Sequence, residues 1–341
     1  MNLGLDTANV LRVCAQVLAS AIVGLAAAWG VLALWYQAPG GHAGKVIIIL
    51  VWALFSIAVL AAFWQGRTLV GLGAFALAFA ALLLWWSLIP PSNDRVWADD
   101  VSRLATGSID HNLVTLHDVR NFEWRTQTDY TEHWEARTYD LNRIETVDMI
   151  MSYWQGPAIA HMLVSFGFDD GSHVVFSVEI RRKKDEAFSE IGGFFKEFEL
   201  SILAADENDI VRVRTNVRGE DDYLYRLRLS RANMRSLFIA YVQHANSLTT
   251  VPRFYNTVTV NCTTLVYHMM KRIVGYLPFD YRVIFTGYLP EYVYQVGGLD
   301  QRYPLAELKR LGRITERAKQ ASYADFSSEI RRGIPPLPPP E

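Results

Sequence analysis

Residues 255–264 place one of the chain's two cysteines among polar residues, directly before a stretch with helical spacing. The predicted helix face consists of Leu265, Val266, Met269, Met270, Ile273 and Val274. Asn261 or Thr263 can cap this helix, because their side chains accept hydrogen bonds from free N–H groups. Cys262 would then lie at the helix N-terminus, where those groups and the helix dipole favour a thiolate. The stretch predicts a thiol nucleophile, with a small buried core residue as the alternative.

The composition separates an apolar beginning from a polar remainder. The chain has 341 residues, is 51% hydrophobic and carries a formal charge of −2, a balance that argues against nucleic acid as a partner. Cys14 and Cys262 fall in these two different regions, so we expect neither a disulfide between them nor a zinc site built from cysteines. The proposed chemistry needs no metal and no organic cofactor.

Three apolar runs occupy residues 1–91, the predicted transmembrane region. They extend over Leu11–Tyr36, Val46–Trp64 and Thr68–Ile89, and each reaches roughly the twenty residues needed to cross a bilayer. A cleaved signal peptide fits poorly, because the first run is long and two more follow it.

Flanking charges predict the orientation of these spans. Arg12 and Arg67 fall on one side and Lys45 on the other, which favours a cytoplasmic N-terminus. Three spans then place everything after Pro91 outside the cytoplasmic membrane. We therefore expect a multi-pass protein of a bacterial inner membrane with a periplasmic domain.

The remainder divides into a juxtamembrane linker at 92–119, a domain at 120–333 and a disordered Pro-rich tail at 334–341. The linker is expected to be irregular, with one short helix at most. Within the domain, alternating residues predict strands, and helical spacing predicts helices. The predicted strands include 120–125, 138–141, 211–214 and 223–227; the predicted helices are 232–248 and 306–320, with a loop-like region at 275–304.

A predicted hairpin joins Ile159–Phe168 to His173–Ile180. Its apolar residues are all even-numbered: Met162, Val164, Phe166 and Phe168 on one strand, and Val174, Phe176, Val178 and Ile180 on the other. Both sets share a face only if even residues pair with even residues, which requires an odd loop. A three-residue loop, 169–171, with Gly171 in the left-handed conformation meets this condition.

This register gives the opposite face four polar side chains: His161, Ser165, Ser177 and Glu179. His161 lies opposite Glu179, so the carboxylate can fix the imidazole tautomer. The helix after Cys262 must pack over this face if the thiol is to meet the imidazole there. An exposed polar face of a half-buried sheet is the alternative, since it has the same pattern.

A charged run follows the hairpin at 181–186 and begins with Arg181. It fits a solvated turn, or alternatively a site that attracts anionic lipid head groups.

Several blocks resemble the Lnb-type periplasmic domain, a family long catalogued as a domain of unknown function. They are Tyr255-Asn256 with Asn261-Cys262-Thr263-Thr264, Ile159-Ala160-His161 with Ser165-Phe166, Ser177-Val178-Glu179 with Arg181, and Arg214-Thr215-Asn216. The resemblance covers about residues 120–300. Family members characterised in Bacteroidota are lipoprotein N-acyltransferases. The family also looks like a distant, circularly permuted relative of the NlpC-type papain-like thiol enzymes, because His precedes Cys in the chain.

The resemblance implies a membrane-anchored α+β protein, with three N-terminal transmembrane helices before a papain-like domain of antiparallel sheet and helices. Cys262 would be the nucleophile and His161 its base. In the characterised acyltransferases the spans follow this domain, whereas here they precede it. The resemblance therefore carries the thiol chemistry more directly than the substrate.

The other candidate residues complete the expected site. Glu179 orients His161, with Ser165 and Ser177 as neighbours, and Asn261, Thr263 and Thr264 support the oxyanion. Substrate or head-group candidates are Arg181, Tyr255 and Asn256. The expected activity moves an acyl chain from a membrane phospholipid, through a Cys262 thioester, to the N-terminal amine of a lipoprotein. The alternatives are a Cys/His peptidase or amidase acting on cell-wall peptides, and a non-catalytic membrane-bound binding or assembly protein.

Overall fold

The computed structural model describes residues 7–337, which divide into two compact units. The first unit is the chain up to Pro91 together with Phe194–Glu197. The second unit is Ser92–Gly193 and the chain from Phe198 onward.

Three apolar helices make up most of the first unit: α1 (Thr7–Gln37), α2 (His42–Trp64) and α3 (Thr68–Ser87). Each contains a segment long and apolar enough to cross a membrane, at Asn9–Gln37, His42–Trp64 and Thr68–Ser87. Gly30 permits close packing, since a Cβ there would lie 2.6 Å from Nε1 of Trp52. Phe194–Glu197 joins this unit through Gln37, whose Nε2 donates to the carbonyls of Phe195 and Lys196. The three predicted apolar helices are confirmed.

The second unit is built on an eight-stranded sheet within residues 92–337. The strands are β1 (Thr106–Asp110), β2 (Leu113–Arg120), β5 (Trp134–Asp140), β6 (Ile144–Gln155), β7 (Ile159–Phe168), β8 (His173–Arg181), β9 (Glu199–Ala205) and β10 (Asp221–Arg226). Their order is β1-β2-β9-β8-β7-β6-β10, and β5 pairs with β2. All pairings are antiparallel except that of β2 with β9 at Arg120 and Ala205. Two short strands, β3 (Glu123–Trp124) and β4 (Tyr130–Thr131), form a separate pair.

Helices cover both faces of this sheet. On the side of the even-numbered residues of β7 and β8 lie α5 (Arg231–Thr250), α6 (Thr264–Val274) and α7 (Leu289–Gln295). On the odd-numbered side lie α4 (Glu207–Arg212), α9 (Thr315–Gln320) and α10 (Phe326–Ile330). A further helix, α8 (Leu305–Gly312), runs beside β10. A sheet followed by helices confirms the predicted α+β class, and the papain-like relationship stays a prediction.

Aromatic packing on the even side fixes the hairpin register. The ring of Phe166 lies 5.1 Å from that of Phe238, and Phe176 stacks on Tyr241 at 4.8 Å. Full burial of such a side chain is worth roughly 1.5–3 kcal/mol. A slip by one residue would turn these rings away from α5, so the register is strongly determined.

The expected irregular linker at 92–119 is wrong. After a short 3₁₀ turn at Asp99–Val101, this segment forms β1 and nearly all of β2. Its second strand, β2, pairs with β5 and, at Arg120, with β9, both later in the chain, and weak local periodicity does not reveal such pairing.

Two predicted strands also differ from the structure. Residues 120–125 contain the end of β2 and the two-residue β3 instead of one strand. Residues 211–214 are helical: α4 continues into a π-helical turn at Val213–Arg218. The alternation Val-Arg-Val-Arg misled the prediction, because Val211 and Val213 are buried from a helix and not from a strand.

Nearer the C-terminus the elements are shorter than expected. The predicted helix 306–320 is two helices, α8 and α9, separated where Arg313 bridges to Tyr223 of β10. The loop-like region 275–304 contains 3₁₀ turns and α7. Of the expected tail, Ile334–Leu337 has no helix or strand, and 338–341 lies outside the described residues.

Candidate active site

Cys262 lies in the turn that enters α6, as the sequence predicts, and Asn261 organises that turn. The Asn261 Oδ1 atom accepts hydrogen bonds from the N–H groups of Thr263 and Thr264, at 3.0 and 2.8 Å, and from the hydroxyl of Thr264. Its Nδ2 atom donates to the carbonyl of Thr257 at 2.6 Å. The amide of Asn261 therefore caps the helix and holds the cysteine in one position.

The β7–β8 hairpin has the predicted register. Leu163 pairs with Ser177 and Phe166 with Val174, so even residues oppose even residues. Gly171 has a φ of 82°, and the Phe168 N–H donates to the carbonyl of Ser172, which closes a three-residue loop. His161 and Glu179 consequently lie on the same face.

His161, Ser177 and Glu179 form one hydrogen-bonded group. The Nε2 atom of His161 lies 2.7 Å from Ser177 Oγ and 3.1 Å from Glu179 Oε1. The Ser177 hydroxyl donates to the same Glu179 oxygen at 2.7 Å. Because Nε2 is engaged here, Nδ1 is the ring nitrogen that remains for the thiol.

The helix after Cys262 does not pack on this face, which corrects the sequence prediction. Cys262 and α6 pack with the even-numbered core residues, whereas His161 projects from the odd-numbered side. They meet beyond Leu163–Ser177, the last pair of the hairpin. There the Met162 N–H donates to the Cys262 sulfur, and the His161 ring makes a hydrogen bond with the same sulfur. The Cys262 sulfur therefore accepts a backbone N–H of β7 just past the last residue pair between β7 and β8.

The charges around Cys262 and His161 favour an ion pair between these two side chains. Burial raises the pKa of the Cys262 thiol, but the charge of His161 and hydrogen bonds from His161 and Met162 outweigh it, so that pKa is lowered. Burial lowers the pKa of His161, yet Glu179 and Cys262 raise it to about 9 against the opposing charge of Arg214. Both shifts favour a thiolate beside an imidazolium over the neutral thiol and imidazole.

Arg214 holds Glu179 in the ionised form. Its Nη2 lies 3.1 Å from Glu179 Oε1, and its Nη1 lies 3.0 Å from Glu220 Oε2. Burial raises the pKa of Glu179, but the charges of His161 and Arg214 hold it well below its usual range. Arg214 lies in the π-helical turn, a conformation that is frequent at functional sites.

Sequence reasoning missed the role of Arg214. It noted Arg214-Thr215-Asn216 as a family block but predicted a strand there, so the side chain had no place in the site. The block itself was the signal that could have identified it.

Ser152 and Asp222 continue the row of polar side chains that begins at His161 onto the neighbouring strands β6 and β10. Ser152 pairs with His161 on one side and with Asp222 on the other. The Ser152 hydroxyl contacts both Glu220 and Asp222, and one hydroxyl hydrogen cannot serve two carboxylates. Burial, reinforced by the charges of Glu220 and Asp221, raises the pKa of Asp222 to about 7. A protonated Asp222 that donates to Ser152 leaves the hydroxyl hydrogen of Ser152 for Glu220.

Most of the expected oxyanion donors already make hydrogen bonds within the turn. Asn261 Oδ1 accepts the N–H groups of Thr263 and Thr264, and its Nδ2 donates one hydrogen bond to Thr257. Thr263 donates its hydroxyl to the carbonyl of Val283. These hydrogen bonds give the three residues a structural role in the turn and leave no free donor on Thr263 or Thr264 for an oxyanion. Among the described residues, the Cys262 N–H has no acceptor and remains available.

Tyr255 lies beside the site. Burial raises its pKa well above the usual value, and the negative charges of Cys262 and Glu179 add to the shift. The phenol therefore remains a proton donor close to the thiolate. Its neighbour Asn256 organises the turn before Cys262, because its Oδ1 accepts from the N–H groups of Val258 and Thr259.

Two other candidates lie elsewhere. Ser165 is on the predicted face, but its hydroxyl donates to Glu207 at 2.5 Å, in an ion-pair group with Arg331. Arg181 is buried and donates to the carbonyls of Val101 and Ser102. Neither side chain is placed to serve the thiol or a head group.

Cys14 and Cys262 are both free thiols, as expected. Within residues 7–337, no group of three or more His, Cys, Asp or Glu side chains is arranged to hold a metal ion.

Residues 130–287 match the family model of the Lnb N-terminal periplasmic domain. His161, Glu179, Arg214 and Cys262 all lie inside the matched region. Neither the curated proteins nor the solved structures include a match to this chain.

Proposed function

We propose that this chain is a membrane-bound thiol acyltransferase, because residues 130–287 match the family model of the Lnb N-terminal periplasmic domain and three candidate membrane spans precede them. It acts at the outer face of a bacterial inner membrane. Cys262 takes an acyl chain from a phospholipid and passes it to the N-terminal amine of a lipoprotein. The hydrogen-bonded arrangement of Cys262, His161, Ser177 and Glu179 is the observation that carries this proposal.

The first half of the reaction forms a thioester. The Cys262 thiolate attacks the carbonyl carbon of an acyl ester, and the carbonyl oxygen becomes an oxyanion. The Cys262 N–H and the Tyr255 hydroxyl are the proposed donors to that oxyanion. When the ester C–O bond breaks, His161 gives its proton to the departing alkoxide, which leaves as the hydroxyl of a lyso-lipid.

The second half transfers the acyl group. The lipoprotein amine attacks the thioester carbonyl, and the now neutral His161 accepts a proton from that amine. The C–S bond breaks, an amide forms, and the thiolate and imidazolium are restored. Glu179 and Ser177 keep the imidazole oriented, while Arg214 keeps Glu179 ionised. The spans hold the domain at the membrane that contains its lipid substrate.

Trapping the thioester tests this proposal. The full chain is incubated in mixed micelles with phospholipid that carries a labelled acyl chain, then denatured and analysed by mass spectrometry. We expect an acyl adduct on Cys262 that neutral hydroxylamine removes. Cys14→Ser should form the same adduct, whereas Cys262→Ser should form none and should lose turnover by about 10³-fold or more.

The acceptor is tested in cells. Deleting the gene should remove the amide-linked acyl chain from lipoprotein N-termini, as read by mass spectrometry, and the Cys262→Ser protein should not restore it. Full activity of Cys262→Ser would contradict the covalent mechanism. Cleavage of cell-wall peptides without acyl transfer would instead favour the peptidase or amidase alternative.

A further inference from the structure

A cavity of about 340 Å³ lies between α5, α6 and β9, beside the turn that carries Cys262. Its volume is within the range of ordinary ligand pockets, roughly 300–1,000 Å³. Val260, two residues before Cys262, and Leu265, three residues after it, both line the cavity. The cavity therefore adjoins the candidate active site through the same short stretch of chain.

This cavity has a basic lining. Arg253, Arg272, His244 and His268 line it, and none of the described lining residues is acidic. Burial lowers the pKa of His244, and the charges of Arg272 and Arg253 lower it further. The positive charges of Arg253 and Arg272 therefore both lie close enough to His244 to affect its pKa.

These two arginines lack the partners that others in the domain have. Arg214 and Arg331, for example, each contact two carboxylates. In the described part of the chain, the side chains of Arg253 and Arg272 form no ion pair with a carboxylate. Two unpaired guanidinium groups beside a cavity are suited to an anion, and arginine is especially suited to phosphate.

The wall of the cavity is apolar on another side. Leu200, Leu248 and Leu265 contribute to it, together with Ile202 and Val260. A ligand that joins an anionic group to an apolar chain would match both parts of this surface.

We propose that this cavity binds a phosphate group, held by Arg253 and Arg272, with any attached apolar chain lying along the leucine-lined wall. This inference rests on the proposed function, because there the phosphate belongs to the acyl donor. A soluble phosphate ester presents the same chemistry without the chain. The cavity then acts as an anchoring subsite that brings the adjoining ester toward Cys262.

Binding is measured on the full chain with Cys262→Ser, in neutral detergent, so that no acyl transfer takes place. The probes for isothermal titration calorimetry are dihexanoyl phosphatidylglycerol, dihexanoylglycerol, which lacks the phosphate, and inorganic phosphate. The test variant carries Arg253→Gln and Arg272→Gln. The matched control is Lys271→Gln, which removes one charge from the same helix outside the cavity lining. Equal melting temperatures establish that the variants are folded.

We expect the phosphatidylglycerol to bind at least tenfold more weakly to the double variant, and within about twofold of the parent to Lys271→Gln. Binding by the phosphatidylglycerol alone identifies a lipid ligand, whereas equal binding by inorganic phosphate identifies a soluble one. Undiminished binding to the double variant, or equally tight binding of dihexanoylglycerol, overturns the proposal. Anion binding without any Cys262 thioester in the wild-type chain would retain this site while removing the proposed function.

Discussion

The Nη2 atom of Arg214 lies 3.1 Å from Oε1 of Glu179, the carboxylate that contacts His161. The other terminal nitrogen of Arg214 contacts Glu220. One buried guanidinium therefore compensates two carboxylates, and only one of them touches the imidazole. Because Glu220 occupies the second terminal nitrogen of Arg214, Glu179 receives only one of its two nitrogens. Glu179 thus stays ionised and still contacts His161.

Glu179→Gln should reduce turnover more than it reduces stability. The amide keeps a similar shape and can still accept the Ser177 hydroxyl, but it no longer stabilises the imidazolium. One pKa unit lost by His161 corresponds to a factor of about ten, so we expect turnover to fall tenfold or more. Steady-state kinetics and a melting curve check the two parts separately.

His161→Gln is the reference for complete loss of the base and should be nearly inactive. Ser165→Ala is a matched control on the same strand face, since Ser165 contacts Glu207 and not the thiol. A Glu179→Gln enzyme with unchanged turnover would exclude an orienting role for this carboxylate.

Cys262 should react with iodoacetamide well below the pKa of about 8.5 of an ordinary thiol. The imidazolium of His161 lowers the thiol pKa, so the rate should already be high near neutral pH. Replacing His161 by Gln removes that charge and should move the midpoint of the rate profile upward. The measurement uses the Cys14→Ser chain so that a single thiol is labelled.

A midpoint at or above 8.5 in the chain with His161 intact would contradict the ion pair. Turnover itself should decline as the pH passes about 9, because the imidazolium that protonates the leaving group is then lost.

Asp222→Asn should change the pH dependence of folding stability. The pKa of Asp222 is raised by burial to about 7 in the folded chain, from its usual 3.8. The favourable contribution of this group is therefore fully present below about pH 4, and it is lost as the pH rises toward 7. Asparagine imitates the protonated acid and cannot ionise. The variant should thus gain stability relative to the parent between pH 4 and pH 7.

Chemical denaturation of the detergent-solubilised chain at a series of pH values measures this difference. Asp300→Asn is a control, because Arg302 lowers the pKa of that aspartate, so its contribution to stability stays constant above about pH 4 and its difference from the parent should not change between pH 4 and pH 7. A constant difference between Asp222→Asn and the parent across this pH range would show that Asp222 does not exchange a proton there.

A phosphatase fused after Glu341 should be active, because three spans with a cytoplasmic N-terminus leave the C-terminus in the periplasm. The spans Asn9–Gln37, His42–Trp64 and Thr68–Ser87 support this number of crossings. Phosphatase activity is measured in cell colonies. A reporter that functions only in the cytoplasm, fused at the same position, is the control. Activity of that cytoplasmic reporter would contradict the topology and, with it, the lipoprotein substrate.

Local patterns were sufficient for several features. Length and apolarity predicted the three spans, because a bilayer sets the length that a helix needs. Alternation in Met162–Phe168 and Val174–Ile180 predicted the hairpin register, because period-two patterning allows one arrangement that buries both sets. The polar turn before α6 predicted the position of Cys262, since the cap is formed by residues one to three positions away.

Local patterns did not predict the contacts between residues far apart in the sequence. Alternation shows which residues share a face but not what covers it, so the side on which α6 packs was predicted wrongly. Arg181 looked like a solvated charge, but carbonyls some eighty positions away take its hydrogen bonds.

The sequence by itself determined the spans, the hairpin register, the shared face of His161 and Glu179, and the placement of Cys262 at a helix start. Only the tertiary structure decided that the thiol reaches His161 at the end of the β7–β8 ladder and that Arg214 supports Glu179 from a π-helical turn. The reason is physical: the first group depends on spacing within one element or one hairpin. The second depends on how separate elements pack, and there burial and buried charge outweigh local preference.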